Sequence, residues 1–354
     1  MQNASPPGTS SPRRRPLPPA ITIPVAAVHG ILSGVVRRLE PAEVCALVEA
    51  AGIAPALLSA PGARVTGQHY VALFRQLIEH TGDDCIGLLS RPVRRGGFVL
   101  VARSTLGAAS LRGTLKRIGV GFGVLMEEVR FELVEEDGLT GLLLTPQPDR
   151  PPPPNFYFEL MLRSAWRLLA WLAGGRLPVA RIEFCFPRPD YEEIYPAIFS
   201  APLAFDRPAA GLWIETRHLA APPRREAAAL EAFLAATPDN IILPWQDDRS
   251  AAVQVRALLR AAAPAWPDLP TIARQLNMSV STLQRRLSAD GQSFQSVKDQ
   301  LRRDLAITRL STGAEPLALV AADLGFADGA AFQRAFKSWT GSPPGAYRRQ
   351  QAGE

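Results

Sequence analysis

Two stretches of the chain, 48 positions apart, carry the same pattern, and an internal repeat of this kind admits few folds. IARQLNM at 272–278 falls on VAADLGF at 320–326, so that Ala273 meets Ala321, Leu276 meets Leu324, Asn277 meets Gly325 and Met278 meets Phe326. With one extra residue in the turn that follows, Leu283 meets Phe332, Gln284 meets Gln333, Arg285 meets Arg334 and Leu287 meets Phe336. Each copy reads as a short helix, a tight turn and a second helix. The alanine lets the second helix cross closely, and Asn or Gly at the corner tolerates the left-handed backbone that a sharp turn needs. Leu283 with Leu287, and Phe332 with Phe336, are apolar pairs four apart that turn one face of the second helix inward. Gln284 with Arg285, and Gln333 with Arg334, then fall on its other faces. Gln can read adenine edges in the major groove and Arg guanine edges, or either can hold phosphates. A single Arg on such a helix is ordinarily just solvated. The same Gln-Arg pair at the same register in both copies points to a shared polyanionic partner.

The surrounding text is helical. Ala251–Ala263, Asp268–Leu276, Ser281–Ala289, Phe294–Ser311, Pro316–Leu324, Asp328–Trp339 and a last turn after Pro343 predict a dense all-α domain over 251–351. Charge separates it from what precedes: 11 basic and 7 acidic residues between Asp268 and Arg349, against 22 basic and 24 acidic between Val25 and Asp247. Apart from the Arg13–Arg15 run, the excess of cations thus lies in the C-terminal part, which suggests a polyanionic partner for that part alone. Lys337, Arg348 and Arg349 are its phosphate-contact candidates.

The N-terminal part reads differently. Met1–Pro24, rich in Pro, Ser and Arg, cannot bury enough apolar surface to offset ordering and is expected to be a disordered tail. From Val25 the apolar residues recur at helical steps through VAAVHGILSGVVRRL, PAEVCALVEA and QHYVALFRQLIEHTG, with Ala63–Thr66 as a helix entrance. Leu125–Val134 and Leu139–Thr145 flank a turn and predict a hairpin; Phe156–Ala173 predicts a helix closed by Gly174 and Gly175. Further strands are expected at Ala180–Phe186 and Gly211–Glu215, and a helix at Pro222–Ala236. The sum is an α+β domain over 25–243, with Thr237–Trp245 as the boundary.

Several function classes find no support. The four histidines lack metal-ligand spacing with one another or with Cys45, Cys85 and Cys185, which read as buried, reduced thiols. No nucleophile elbow, Walker loop or dinucleotide fingerprint is present, so neither an enzyme nor a cofactor is expected. No run of about 18 apolar residues spans a membrane, and a cytoplasmic location is expected. Phe122, Phe131, Phe156, Phe158, Trp166 and Trp171 either line a pocket for an apolar ligand or form the core; Arg163 and Arg167, one turn apart, either hold a carboxylate or sit on the surface.

AADLGFADGAAFQRAFKSWTGSPPGAYRR, residues 321–349, resembles the C-terminal signature of AraC/XylS-type bacterial transcription regulators, and LRRDLAITRL at 301–310 resembles the long helix that joins their two helix-turn-helix units. The resemblance implies recognition helices at Ser281–Leu287 and Gly329–Phe336 that enter successive major grooves about 34 Å apart. Carried over, the base-facing positions are Ser281, Gln284 and Arg285 in the first helix and Gly329, Ala330, Gln333 and Arg334 in the second. Gly329 and Ala330 lack polar side chains, which shifts the expected base reading toward the first helix. The segment LVEAAGIAPALLSAPGARVTGQHYVALFRQLIEHTGDDCIGLLSRPVRRGGF resembles the arabinose-binding-type effector domain of one subgroup, through its Arg64–Thr66 step and its Gly87-Leu88 pair. That label does not make arabinose the ligand. It implies sensing of a small-molecule effector, apolar or carboxylate, a homodimer, and activation through RNA polymerase. The alternative is a constitutive, weakly selective DNA-binding protein whose N-terminal domain only dimerises.

Overall fold

The computed structural model describes residues 21–352 except 61, 176, 190, 193, 194, 200, 244–249, 291, 313 and 314. The chain enters as a short strand, β1 (Thr22–Pro24), paired antiparallel with β2 (Arg64–Thr66). Between them run α1 (Val25–Leu32), α2 (Pro41–Ala50) and a 3-10 turn at Pro55–Ser59. β1 corrects the expectation of a disordered tail reaching Pro24: Thr22 and Ile23 are buried, and the ladder to β2 satisfies their backbone groups. The rest of the expected tail, residues 1–20, lies outside the described residues. Thr66 ends β2 and caps α3 (Gly67–Thr81) by accepting the His69 N–H at 3.2 Å, so the expected helix entrance at 63–66 is mostly strand.

α4 (Gly97–Ser104) and α5 (Leu111–Leu125) lead into the hairpin β3 (Val129–Glu136) and β4 (Leu139–Pro146), which begins four residues later than the apolar text because Leu125 still belongs to α5. α6 (Asn155–Leu172) follows. Then come β5 (Arg181–Glu183), the single turn α7 (Tyr195–Ile198), β6 (Leu203–Ala204) and β7 (Ala210–Glu215). The five strands form one sheet in the order β3-β4-β7-β5-β6, antiparallel except for β5 with β6. The two-residue β6 is too short to show a period in the sequence. α8 (Thr216–Leu219), α9 (Ala227–Ala235) and α10 (Asp239–Ile242) complete this part. α10 falls inside the segment expected as a boundary; its Ile241 and Ile242 are buried, so Thr237–Leu243 belongs to the N-terminal core, while Trp245 lies outside the described residues.

α6 is the axis of this domain. It is buried on every side except at Asn155 and Trp171, as expected of a helix apolar all round. Phe156, Phe158 and Trp166 are therefore core residues, and Arg163 and Arg167 are buried, not a surface pair. Of the cysteines only Cys85 is buried; Cys45 is exposed and Cys185 half-buried, because the α2 periodicity turns Val44, Leu47 and Val48 inward instead of Cys45. Among the described residues no helix is long and apolar enough to cross a membrane.

The C-terminal part is all helix: α11 (Ala251–Ala262), α12 (Leu269–Gln275), α13 (Val280–Ala289), α14 (Phe294–Thr312), α15 (Leu317–Asp323), α16 (Gly329–Thr340) and α17 (Pro344–Ala352).

A close approach of two backbones fixes the N-terminal domain. A Cβ on Gly34 would stand 2.6 Å from the Gly87 carbonyl carbon and the Ile86 carbonyl oxygen, and Gly87 itself is held at φ +79°. Backbone cannot yield as a side-chain tip can, so Gly34→Ala is expected to destabilise the protein by about 1–3 kcal/mol. Urea unfolding checks this, and an unchanged midpoint would contradict the packing described.

Candidate nucleic-acid interface and its joint to the N-terminal domain

The duplication read from the sequence is a duplication of geometry. In the first unit Asn277 takes φ +55°, its N–H meets the Arg274 carbonyl at 3.0 Å, and the Met278 N–H reaches back to Ala273 at 2.9 Å. In the second unit Gly325 takes φ +72° and makes the same bond to Ala322 at 2.9 Å, with Phe326 reaching back to Ala321 at 3.1 Å. Both second helices then start on a polar cap: Ser279 accepts from Thr282 at 3.2 Å, and Asp328 from Ala331 at 2.6 Å. The extra residue of the second unit sits between corner and cap, as the alignment placed it.

Leu283 and Leu287 on α13, and Phe332 and Phe336 on α16, are buried. The opposite faces are open: Ser281, Gln284 and Arg285, and Gly329, Ala330, Gln333 and Arg334, are all exposed. Among the described residues the side chains of Gln284, Arg285, Gln333 and Arg334 make no hydrogen bond or ion pair within the chain, and Lys337 is likewise exposed. Arg349 is exposed, whereas Arg348 turns inward with its Nε and Nη2 buried. Arg286, exposed beside Arg285, is a cation on this face that pattern matching between the copies missed; its counterpart in the second unit is Ala335.

α14 joins the two units and is where the N-terminal domain docks. Asp304, at its middle and 5% exposed, accepts from Arg256 of α11 at 2.6 Å through one oxygen and from the Thr22 hydroxyl of β1 at 2.5 Å through the other. Arg64 of β2 closes the circuit, its Nε donating to Thr22 Oγ1 at 2.9 Å and its Nη2 to the Thr22 carbonyl at 3.0 Å. From the other side the Tyr347 hydroxyl of α17 donates to the Arg64 carbonyl. Tyr347 also packs edge-on against Phe336, the inward ring of α16, at 5.4 Å, and Gly62 lies against the Thr340 backbone at the end of that helix. The β1–β2 ribbon thus bonds to α14 and α17, and Gly62 just before β2 lies against the end of α16.

A second strand of contact leaves from α6. Arg163 Nη1 donates to the Ile242 carbonyl at 2.6 Å and Arg167 Nη2 to the Leu243 carbonyl at 2.7 Å, so both guanidiniums hold the end of α10. Burial lowers both pKa values, that of Arg167 to about 9 with help from the nearby Arg163 charge. Beside them Glu159 accepts the Tyr191 and Tyr195 hydroxyls at 2.8 and 2.6 Å. Phe122 lines a cavity beside α6, and Phe131 packs on its ring at 5.8 Å. Among the described residues no group of three or more His, Cys, Asp or Glu is placed to hold a metal ion.

Comparison with known families bears on this architecture directly. Residues 13–223 match the arabinose-binding domain of AraC transcription regulators, N-terminal, and residues 272–350 match a helix-turn-helix domain. The chain belongs to the AraC family of transcription regulators. It is a DNA-binding regulator with an N-terminal ligand-binding domain, and it is similar to other transcription regulators. The ornithine utilization regulator of Pseudomonas aeruginosa is 27% identical over 332 residues, 92% of this chain and 96% of that protein. The regulator VqsM of the same organism is 26% identical over 202 residues, 55% of this chain and 60% of that one. The crystal structure of CdpR, also from Pseudomonas aeruginosa, aligns at a TM-score of 0.32 and 21% identity over 91% of this chain and 98% of that one.

Two expected outcomes test the joint and the α6 cluster. Asp304→Ala leaves Arg256 without its carboxylate and Thr22 without its acceptor; a loss of about 3 kcal/mol and a separation of the two domains' unfolding are expected. One unchanged transition would contradict the coupling. Burial also holds the Glu159 carboxyl above its usual range, although both tyrosines and Arg163 oppose the shift. The native state therefore keeps that proton more tightly than the unfolded chain, and the stability it contributes is lost as pH rises through the raised value. Glu159→Gln keeps an acceptor for the tyrosines without the titration. As pH rises above about 4.5 the variant is expected to lose less stability than the parent, which parallel urea-midpoint curves would disprove.

Proposed function

We propose that the protein binds double-stranded DNA sequence-specifically through α13 and α16 and that a small molecule in its N-terminal domain changes that binding. Ser281, Gln284 and Arg285 read bases. Gln333 and Arg334 contribute fewer base contacts, and Lys337, Arg349 and the half-buried Arg348 form the phosphate set. The observation that carries the regulatory part is the joint at Asp304, where Thr22 of β1, itself held by Arg64 of β2, bonds to the helix between the two DNA-reading units. A ligand moves such an equilibrium only by its differential affinity for the two arrangements, and a direct contact is where that difference can be expressed. The proposal includes a homodimer and activation through RNA polymerase, both supported by family membership. The second reading is a constitutive, weakly selective DNA-binding protein.

Selection of bound sequences from a random DNA pool by the full-length protein at near-physiological salt separates the two. A motif with two half-sites about one helical turn apart is expected; binding without a motif, with affinity that collapses alike on every sequence as salt rises, would favour the second reading. On the selected site, Arg285→Ala is expected to cost about 1–3 kcal/mol and to relax one base pair. Arg334→Ala is expected to weaken binding with less loss of selectivity. The reverse order would exchange the roles of the two helices.

A further inference from the structure

α6 walls a cavity of about 280 Å³ together with α3, α4, α5 and α10. Its lining is mostly apolar: aliphatic side chains such as Ile78, Leu160 and Ile241 are joined by three rings, Phe74, Phe98 and Phe122, and two thioethers, Met126 and Met161. Rings offer edge-to-face partners to a flat guest, and methionine sulfur favours ring edges, so this lining suits a planar molecule better than a polar one. An apolar cavity of about 150 Å³ takes up benzene, so the space here is enough for one ring or two fused ones.

The mouth is basic. Val93, Arg95, Gly96 and Met126 line both this cavity and an adjoining groove that also carries Arg91, Arg94 and Arg150. Arg91 and Arg150 are engaged by Glu127, and Glu128 accepts from the Ser90 hydroxyl and the Ser90 and Arg91 N–H groups. Asp84 also lines the cavity; its Oδ2 accepts from the Gly96 and Phe98 N–H groups, both at 3.1 Å, and burial raises its carboxyl pKa, which lessens its opposition to an anion. Arg94 and Arg95 remain exposed, and among the described residues neither side chain makes a hydrogen bond or ion pair. Of the two, Arg95 lines the cavity itself. An apolar chamber with an uncommitted guanidinium at its entrance is complementary to an apolar anion.

The walls lead to the DNA-binding part. Pro238, Ile241 and Ile242 of the lining belong to or border α10, whose terminal carbonyls are those held by Arg163 and Arg167. Phe74 and Ile78 belong to α3, which begins where β2 ends, one residue past the strand docked on α14. At that start a Cβ on Gly67 would stand 3.1 Å from Leu243, so the two walls meet.

We propose that this cavity is the effector site, that it takes a flat apolar molecule of one or two rings bearing a single carboxylate, and that Arg95 holds the carboxylate. The proposal rests on the effector-responsive reading above and adds the place and the chemistry. Titration calorimetry of the full-length chain tests it, with naphthoate as the anionic probe and naphthylmethanol as its neutral counterpart. Naphthoate is expected to bind once per chain. Arg95→Gln, at an exposed position that leaves the core intact, is expected to weaken naphthoate by about ten- to a hundredfold, as for a lost charge-assisted hydrogen bond, and to leave naphthylmethanol unchanged. Ser164→Leu, which fills the chamber from α6, is expected to abolish both while thermal melting shows the variant folded. Absence of naphthoate binding, or equal naphthoate affinity in Arg95→Gln and parent, overturns the proposal. The same titrations in the presence of the selected DNA site keep the two readings apart: binding at the cavity with unchanged DNA affinity upholds the site and overturns effector responsiveness, whereas a protein that selects its DNA motif but ignores naphthoate overturns the site alone.

Discussion

One carboxylate holds the two halves of this protein in a common frame. Asp304 lies in the middle of the helix between the DNA-reading units, and both its oxygens are committed, one to Arg256 within the same domain and one to Thr22 of the other. A carboxylate this deeply buried is costly unless its lone pairs are filled; Arg256 and, at 3.4 Å, Arg303 donate from its own domain, and Thr22 adds the shorter bond from the other. The docked arrangement is therefore a property of the whole chain. The exposed faces of α13 and α16 are set in space by where that carboxylate finds its partners.

The cost of burying charge recurs in α6. Arg163 and Arg167 lie inside a domain that could have used apolar residues at their positions, and each aims at a backbone carbonyl at the end of α10. The end of a four-residue helix leaves carbonyls without intrahelical donors. A guanidinium is the side chain best able to supply several donors from one fixed plane. The two arginines thus close the N-terminal core at the point where the chain leaves it, and the cavity along α6 shares that closure as a wall.

The DNA-reading units were legible in the sequence because their constraints are local. A left-handed corner needs Asn or Gly, a helix start needs Ser or Asp, and apolar residues four apart must face inward, so Asn277, Gly325, Leu283 and Phe332 announce their places. The hairpin and the long α6 were legible for the same reason. The joint was not. Thr22, Arg64 and Asp304 are ordinary polar residues in their own neighbourhoods, and only the fold brings them together. The spacing of Arg163 and Arg167 shows only that they share a face and leaves open which way it points, whereas the apolar text around the whole circumference of α6 was the signal that every face is buried. The charge left over at Arg94 and Arg95 was likewise hidden, since sequence does not show that Glu127 and Glu128 are engaged elsewhere.

The bond from Tyr347 to Arg64 spans 283 residues. At a synthesis rate of about 5–20 residues per second, the ribbon leaves the ribosome some 15–60 s before the helix that completes its docking surface. For that interval the N-terminal domain must stand with the Thr22 hydroxyl and the Arg64 carbonyl facing water, stable enough to wait and polar enough at that edge not to aggregate. The hydrophilic character of the joint is what a surface needs if it is to be first an outside and only later an inside.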